Sequence, residues 1–150
     1  MGLFNRLVGV SSNQGVQLIE QWCAELAWRI DDRIGSGGII LDFKDPLIGI
    51  RKLLITVADG GSIAQFSVFS AANLNVRQLT GKLMAYLLCH NREILGAWQM
   101  KINDDNTITL AVASALFVSG MSANEFKATC NLLVKEANDL DTKLNNSELS

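Results

Sequence analysis

The sequence predicts an α+β domain, an antiparallel sheet of about five strands with helices packed on it, and three observations carry that expectation. Segments near residues 16–30, 75–92 and 122–144 place apolar side chains at helical spacing. Five short segments alternate apolar with polar, three in a row and then two in a row. Strands that follow one another without an intervening helix pair as antiparallel neighbours, with helices gathered on the sheet. The expected order is helix, three strands, helix, two strands, helix. At 150 residues the chain fits one domain, 1–150, with residues 1–10 as a helical lead-in and 145–150 as a disordered tail. A domain of this length buries about 68–70% of its unfolded surface, enough for a core of its own.

The first helix is expected from Ser11-x-x-Gln14, which has the form of a capping box. Val16, Ile19, Trp22, Cys23, Leu26, Ala27 and Ile30 follow as its apolar stripe, with Glu20, Gln21, Glu25 and Arg29 opposite. Trp28 falls at the stripe's edge. Gly35-Ser36-Gly37-Gly38 ends the helix. This is no phosphate-binding loop, because such a loop follows a strand and opens a helix, and here the order is reversed.

Ile39, Leu41 and Phe43 alternate as a first strand, which Asp45-Pro46 stops. A second strand covers about Ile50 to Ala58, and the parity of Ile48 and Ile50 calls for a bulge near Arg51-Lys52. After the turn Asp59-Gly60-Gly61-Ser62, a third strand places Ala64, Phe66 and Val68 opposite Val57, Ile55 and Leu53. Asn75, with Gln78 three residues on, is the expected start of the second helix, which runs to about Arg92. In the next hairpin, from Ile94 to Phe117, pairing Ile102 with Ile108 leaves the loop Asp104-Asp105-Asn106, whose last residue must take a left-handed conformation. Ser122 and Glu125 form a capping box for the last helix, whose seam is Phe126, Cys130, Leu133, Ala137, Leu140 and Leu144.

The composition excludes several functions. The formal charge is −2 and Arg51-Lys52 is the single adjacent basic pair, so no nucleic-acid surface is expected. No apolar run reaches the ~20 residues of a membrane span, and the N-terminus has no signal-peptide core. Cys23, Cys89 and Cys130 are far apart and read as buried free thiols of a cytoplasmic protein. His90 and Cys89 point about 100° apart on a helix and cannot converge on one atom, and structural zinc wants four ligands. Asp31-Asp32 and Asp104-Asp105 lack a calcium-loop pattern. No catalytic residue, cofactor site or metal site is therefore expected.

The C-terminal half carries a pattern: Leu87-Leu88-x-x-Asn91, Leu95-Gly96-Ala97-Trp98, Thr109-Leu110, Gly120-Met121-Ser122-x-x-Glu125-Phe126, and Asn138-x-Leu140-Asp141. Over residues 83 to 144 this resembles the YbjN-like family, whose fold is similar to that of type III secretion chaperones. The resemblance implies a curved antiparallel sheet. From the chaperones it implies homodimers that wrap an extended effector segment without ATP. It brings no catalytic residues. Asp31 to Leu53 lies outside it.

The functional expectation is a non-enzymatic, chaperone-like or regulatory module that binds a protein partner as a homodimer. Candidate contacts are Ile40, Leu54 and Phe69, on strand faces opposite the core sets unless the lead-in or a helix covers them, and Val76 and Leu83 of the second helix's apolar stripe with Met84 and Leu88, which widen it. The competing expectation is a small-ligand binding domain or an enzyme with a pocket between sheet and helices.

Overall fold

The computed structural model of the chain describes residues 3–58, 60–90 and 96–150, with side chains from Gln14 onward. The elements are α1 (Leu3–Glu25), β1 (Ile30–Ile34), β2 (Gly38–Asp45), β3 (Gly49–Val57), β4 (Ile63–Phe69), β5 (Leu74–Asn75), a 3-10 turn (Val76–Gln78), α2 (Gly81–His90), β6 (Ala97–Ile102), β7 (Thr107–Phe117) and α3 (Ala123–Asn145). One antiparallel sheet runs β1-β2-β3-β4-β7, with β5 continuing along the same side of β7 as β4 and β6 on its other side.

The α+β class and the element order follow the sequence pattern, and the two hairpin registers are those that the alternation dictates. Val57, Ile55 and Leu53 stand opposite Ala64, Phe66 and Val68. Ile102 stands opposite Ile108, and Asn106 takes φ +62° at the end of the three-residue loop. Ser122 and Glu125 close a reciprocal capping box on α3.

Five expectations are corrected. First, the sheet has seven strands, because β1 and β5 carry no legible alternation. Second, α1 starts at Leu3, so Ser11 does not open it, and it ends at Glu25 instead of continuing to Ile30. Ala27 turns left-handed at φ +54°, which sends Ile30 into β1. Third, Asn75 and Gln78 do form a capping box, but on the 3-10 turn; α2 begins at Gly81. Fourth, β3 pairs with β2 without a break from Gly49 to Thr56, and Arg51 takes a core-facing position, so no bulge exists there. Fifth, residues 146–149 form hydrogen-bonded turns after α3, and Leu149 packs against the core, where a disordered tail was expected. The proposed helix end at Arg92, the hairpin start at Ile94, the pattern residues Asn91 and Leu95, and the side chains of the lead-in lie outside the described residues.

All three helices lie on one face of the sheet. Ile19, Trp22 and Cys23 of α1, Leu83 and Leu87 of α2, and Phe126, Leu133 and Leu140 of α3 share one buried cluster with Ile39, Leu53, Ile55, Phe66 and Val112 of the sheet. Phe126 sits among Trp22, Trp28 and Phe66, with ring centroids 5.3, 5.8 and 6.0 Å away. Trp28 also meets Phe43 edge to face at 5.1 Å, so this half-buried tryptophan anchors the corner between α1 and β1. Gly15 lets α1 pass over the β3–β4 turn, since a Cβ there would fall 2.6 Å from the Gly61 carbonyl oxygen.

Candidate interaction surface

Alternation along the strands gives the sheet a second face opposite the helices. The strand registers place Ile40, Leu54, Ser67, Ala113 and Ala97 in one row across β2, β3, β4, β7 and β6. Phe69 lies on the same face, paired with Ala111. The sequence-predicted trio Ile40, Leu54 and Phe69 is thus brought to one side. Ile40 and Leu54 are half-buried among their neighbours, and Phe69 is 47% exposed. Ile34, Ile63 and Phe117 are further exposed apolar side chains of this sheet. The helix side chains of the buried cluster pack with the opposite set of strand residues. At the β1 side of this second face, Lys52 lies 2.6 Å from Asp31 and 2.9 Å from Asp42. The hydrogen bond to Asp31 lifts the Lys52 ammonium above its ordinary range and holds the Asp31 carboxyl below its own.

The four candidates around α2 separate. Leu83 is 1% exposed and belongs to the core, so it has no surface to offer another chain. Val76 lies in the 3-10 turn and not on α2. Met84 is half-buried, and Leu88 is 65% exposed. The apolar excess of α2 therefore reduces to Met84 and Leu88. Cys89 is exposed, contrary to the expectation of three buried thiols. Burial pushes the Cys23 thiol up to about 11 and raises that of Cys130 as well, which keeps both protonated and unreactive.

Two polar clusters were not foreseen. In the first, Arg51 is 1% exposed and lies between two carboxylates. Its Nε donates to Asp45 Oδ2 at 2.5 Å, its Nη1 donates to the Phe69 carbonyl at 3.0 Å, and its Nη2 stands 2.8 Å from Asp141 Oδ2. Asp45 also accepts from the backbone N–H groups of Leu47 and Ile48 and from Asn138. Asp141 accepts from the Ser70 hydroxyl and the Ala71 N–H. Burial raises the Asp45 carboxyl, but Arg51 and these N–H donors outweigh it, leaving the group below its ordinary range. The pattern residues Asn138 and Asp141 thus fasten α3 to the β2–β3 turn and to the β4–β5 connection. Gly96, another pattern residue, is required because a Cβ would fall 2.2 Å from the Ala113 carbonyl oxygen.

In the second cluster, Glu136 of α3 is 7% exposed. Its Oε1 accepts from Trp98 Nε1 at 3.3 Å and lies 2.9 Å from His90 Nδ1. The Tyr86 ring stacks on His90 with centroids 4.0 Å apart. The partner of His90 is a buried carboxylate, which gives the histidine a structural setting. Among the described residues no group of three or more His, Cys, Asp and Glu side chains is arranged to hold a metal ion.

Much of the space between sheet and helices is filled by the aromatic and aliphatic core. Cavities open toward the surface. One of about 460 Å³ runs between the end of β7 and the start of α3, lined by Leu116, Phe117, Met121 and Leu132 among others. No described helix is long and apolar enough to cross a membrane.

No family model matches the chain, and no curated protein matches it. Solved structures do. YbjN from E. coli superposes with a TM-score of 0.64 at 19% identity, covering 89% of this chain and 93% of the other. A chain of the heterodimeric ExoU–SpcU complex of the Pseudomonas aeruginosa type III secretion system gives 0.55 at 17%, covering 83% and 95%. A chain of the HopA1–SchA chaperone–effector complex gives 0.59 at 11%, covering 87% and 96%. The fold is therefore YbjN-like and that of type III secretion chaperones.

Proposed function

We propose that the protein is a chaperone-like module without catalytic activity that acts as a homodimer in the cytoplasm and binds an apolar segment of a protein partner. The observation that carries this reading is the second sheet face, where Ile40, Leu54 and the exposed Phe69 share the side opposite the buried cluster. The likeness to a chain of a chaperone–effector complex supports it.

Self-association is supported by the edge of β6. The Asn103 N–H donates to the Thr107 carbonyl at 2.9 Å. Antiparallel alternation then turns the N–H and C=O groups of Trp98, Met100 and Ile102 away from β7. Met100 and Ile102 are 40% and 53% exposed at that edge. An antiparallel two-fold pairing centred on Met100 sets Met100 against its own copy and Lys101 against Gln99, with no like charges opposed. Sedimentation at micromolar concentration tests the dimer, and a monomer at all concentrations would remove it. Affinity capture with the native protein, repeated with Leu54→Lys and Phe69→Lys, tests the binding face. Equal capture by all three proteins would refute the assignment of that face.

A further inference from the structure

The short helix α2 is attached to the domain in an unusual way. It has ten residues, of which Leu83 and Leu87 are buried. An isolated helix shorter than about 12–15 residues is marginal in water, so α2 depends on its attachments for its helicity. At its N-terminal end, the Thr80 hydroxyl accepts the Leu83 N–H at 3.1 Å and donates to the Leu149 carbonyl at 2.5 Å. One hydroxyl therefore caps α2 and binds it to the segment after α3. That segment is itself held, since Glu148 donates its N–H to the Lys143 carbonyl and pairs with the Lys143 side chain. At the other end, His90 meets Glu136 in the middle of α3, and Tyr86 stacks on the imidazole. Both ends of α2 are thus tied by polar contacts to α3 or its C-terminal extension, and its middle by two leucines.

We propose that α2 is a separately releasable helix, seated by two latches, Thr80–Leu149 and His90–Glu136, and that its seating controls the surface formed by Met84 and Leu88. α2 packs against β6, the strand whose edge is proposed to pair, so the consequence for self-association rests on the dimer reading above; the release of α2 does not. Local opening of such a unit costs less than global unfolding, because few apolar contacts are lost. The C-terminal residues act as a strap: drawing Leu149 away removes the acceptor that fixes the Thr80 hydroxyl. Glu136 serves two elements at once, so loosening His90 leaves Trp98 as its donor.

Hydrogen exchange read by mass spectrometry on the intact protein tests this. Three proteins are compared: the full chain, a chain ending at Ser147, and His90→Phe, which keeps the stack on Tyr86 and loses the contact with Glu136. The expected result is at least tenfold faster exchange for the amides of residues 83–90 in both variants, with unchanged protection in β2, β3 and α3. The proposal is overturned if protection of α2 is unaltered. It is equally overturned if all protected amides accelerate together, which would mean the contacts serve only global stability. Sedimentation of the same proteins reads the second half: the variants should dimerise more weakly than the full chain. If the full chain is monomeric throughout, the dimer reading fails while the exchange data still decide the latches.

Discussion

Nη2 of Arg51 stands 2.8 Å from Oδ2 of Asp141, joining the second residue after the start of β3 to the last part of α3 inside the protein. A guanidinium this deeply buried is tolerable only with its carboxylates in place. Replacing Arg51 with Met leaves Asp45 and Asp141 buried without their cation, and Asp141→Asn removes one of its two counter-charges. Each change should lower the free energy of unfolding by about 3–5 kcal/mol, read from urea denaturation.

The same cluster sets the response to acid. The Asp45 carboxyl is held below its ordinary range by Arg51 and N–H donors against the opposing effect of burial. A depressed folded-state pKa stabilises the protein above the unfolded value and is lost as pH falls through the folded value. The contribution should be constant from pH 7 to about 5 and decline progressively below about pH 4. Asp31, Asp105 and Glu125, also lowered by hydrogen bonds, act in the same direction. Urea midpoints measured from pH 3 to 7 check this. A midpoint that rose on acidification would contradict it.

The hairpins and the α3 cap were legible in the sequence because each rests on local chemistry: period-two alternation, a left-handed Asn106, and Ser122 with Glu125. Arg51 was not legible, because a charged residue at a core-facing position looks like a break in phase. The residues that make the position tolerable, Asp45 and Asp141, are distant in sequence. β1 was hidden for a related reason. Its sequence Ile30-Asp31-Asp32-Arg33-Ile34 has no apolar alternation, and its register shifts between Ile30 and Asp32. Parity was enough to put Ile40, Leu54 and Phe69 on one side of the sheet, but not to say whether anything covers them. The burial of Leu83 was not legible either, since a helix's apolar arc does not say which part of it the rest of the chain will cover.

Asn106 tests the turn directly. At φ +62° a residue with a Cβ and no compensating side-chain hydrogen bond pays about 1–2 kcal/mol. Asn106→Ala should therefore cost about 1 kcal/mol, and Asn106→Gly should be nearly neutral, as measured by thermal or urea unfolding. Equal losses for the two would show that φ is not the determinant.

Leu83 and Leu88 separate core from surface within one helix. Leu83→Ala, at 1% exposure, should cost about 2–5 kcal/mol. Leu88→Ala, at 65% exposure, should change stability by less than about 0.5 kcal/mol in the same urea measurement.

The two borders of the sheet differ in what they permit. β1 is short, acidic and irregular in register, and edges of that kind resist further pairing. β6 is regular in register and turns the backbone groups of Met100 and Ile102 away from β7. In the proposed dimer, two copies joined through β6 would present only β1 at either extremity. Growth along the hydrogen-bonding direction would then terminate at two, a limit that matters for a protein with so many exposed apolar side chains.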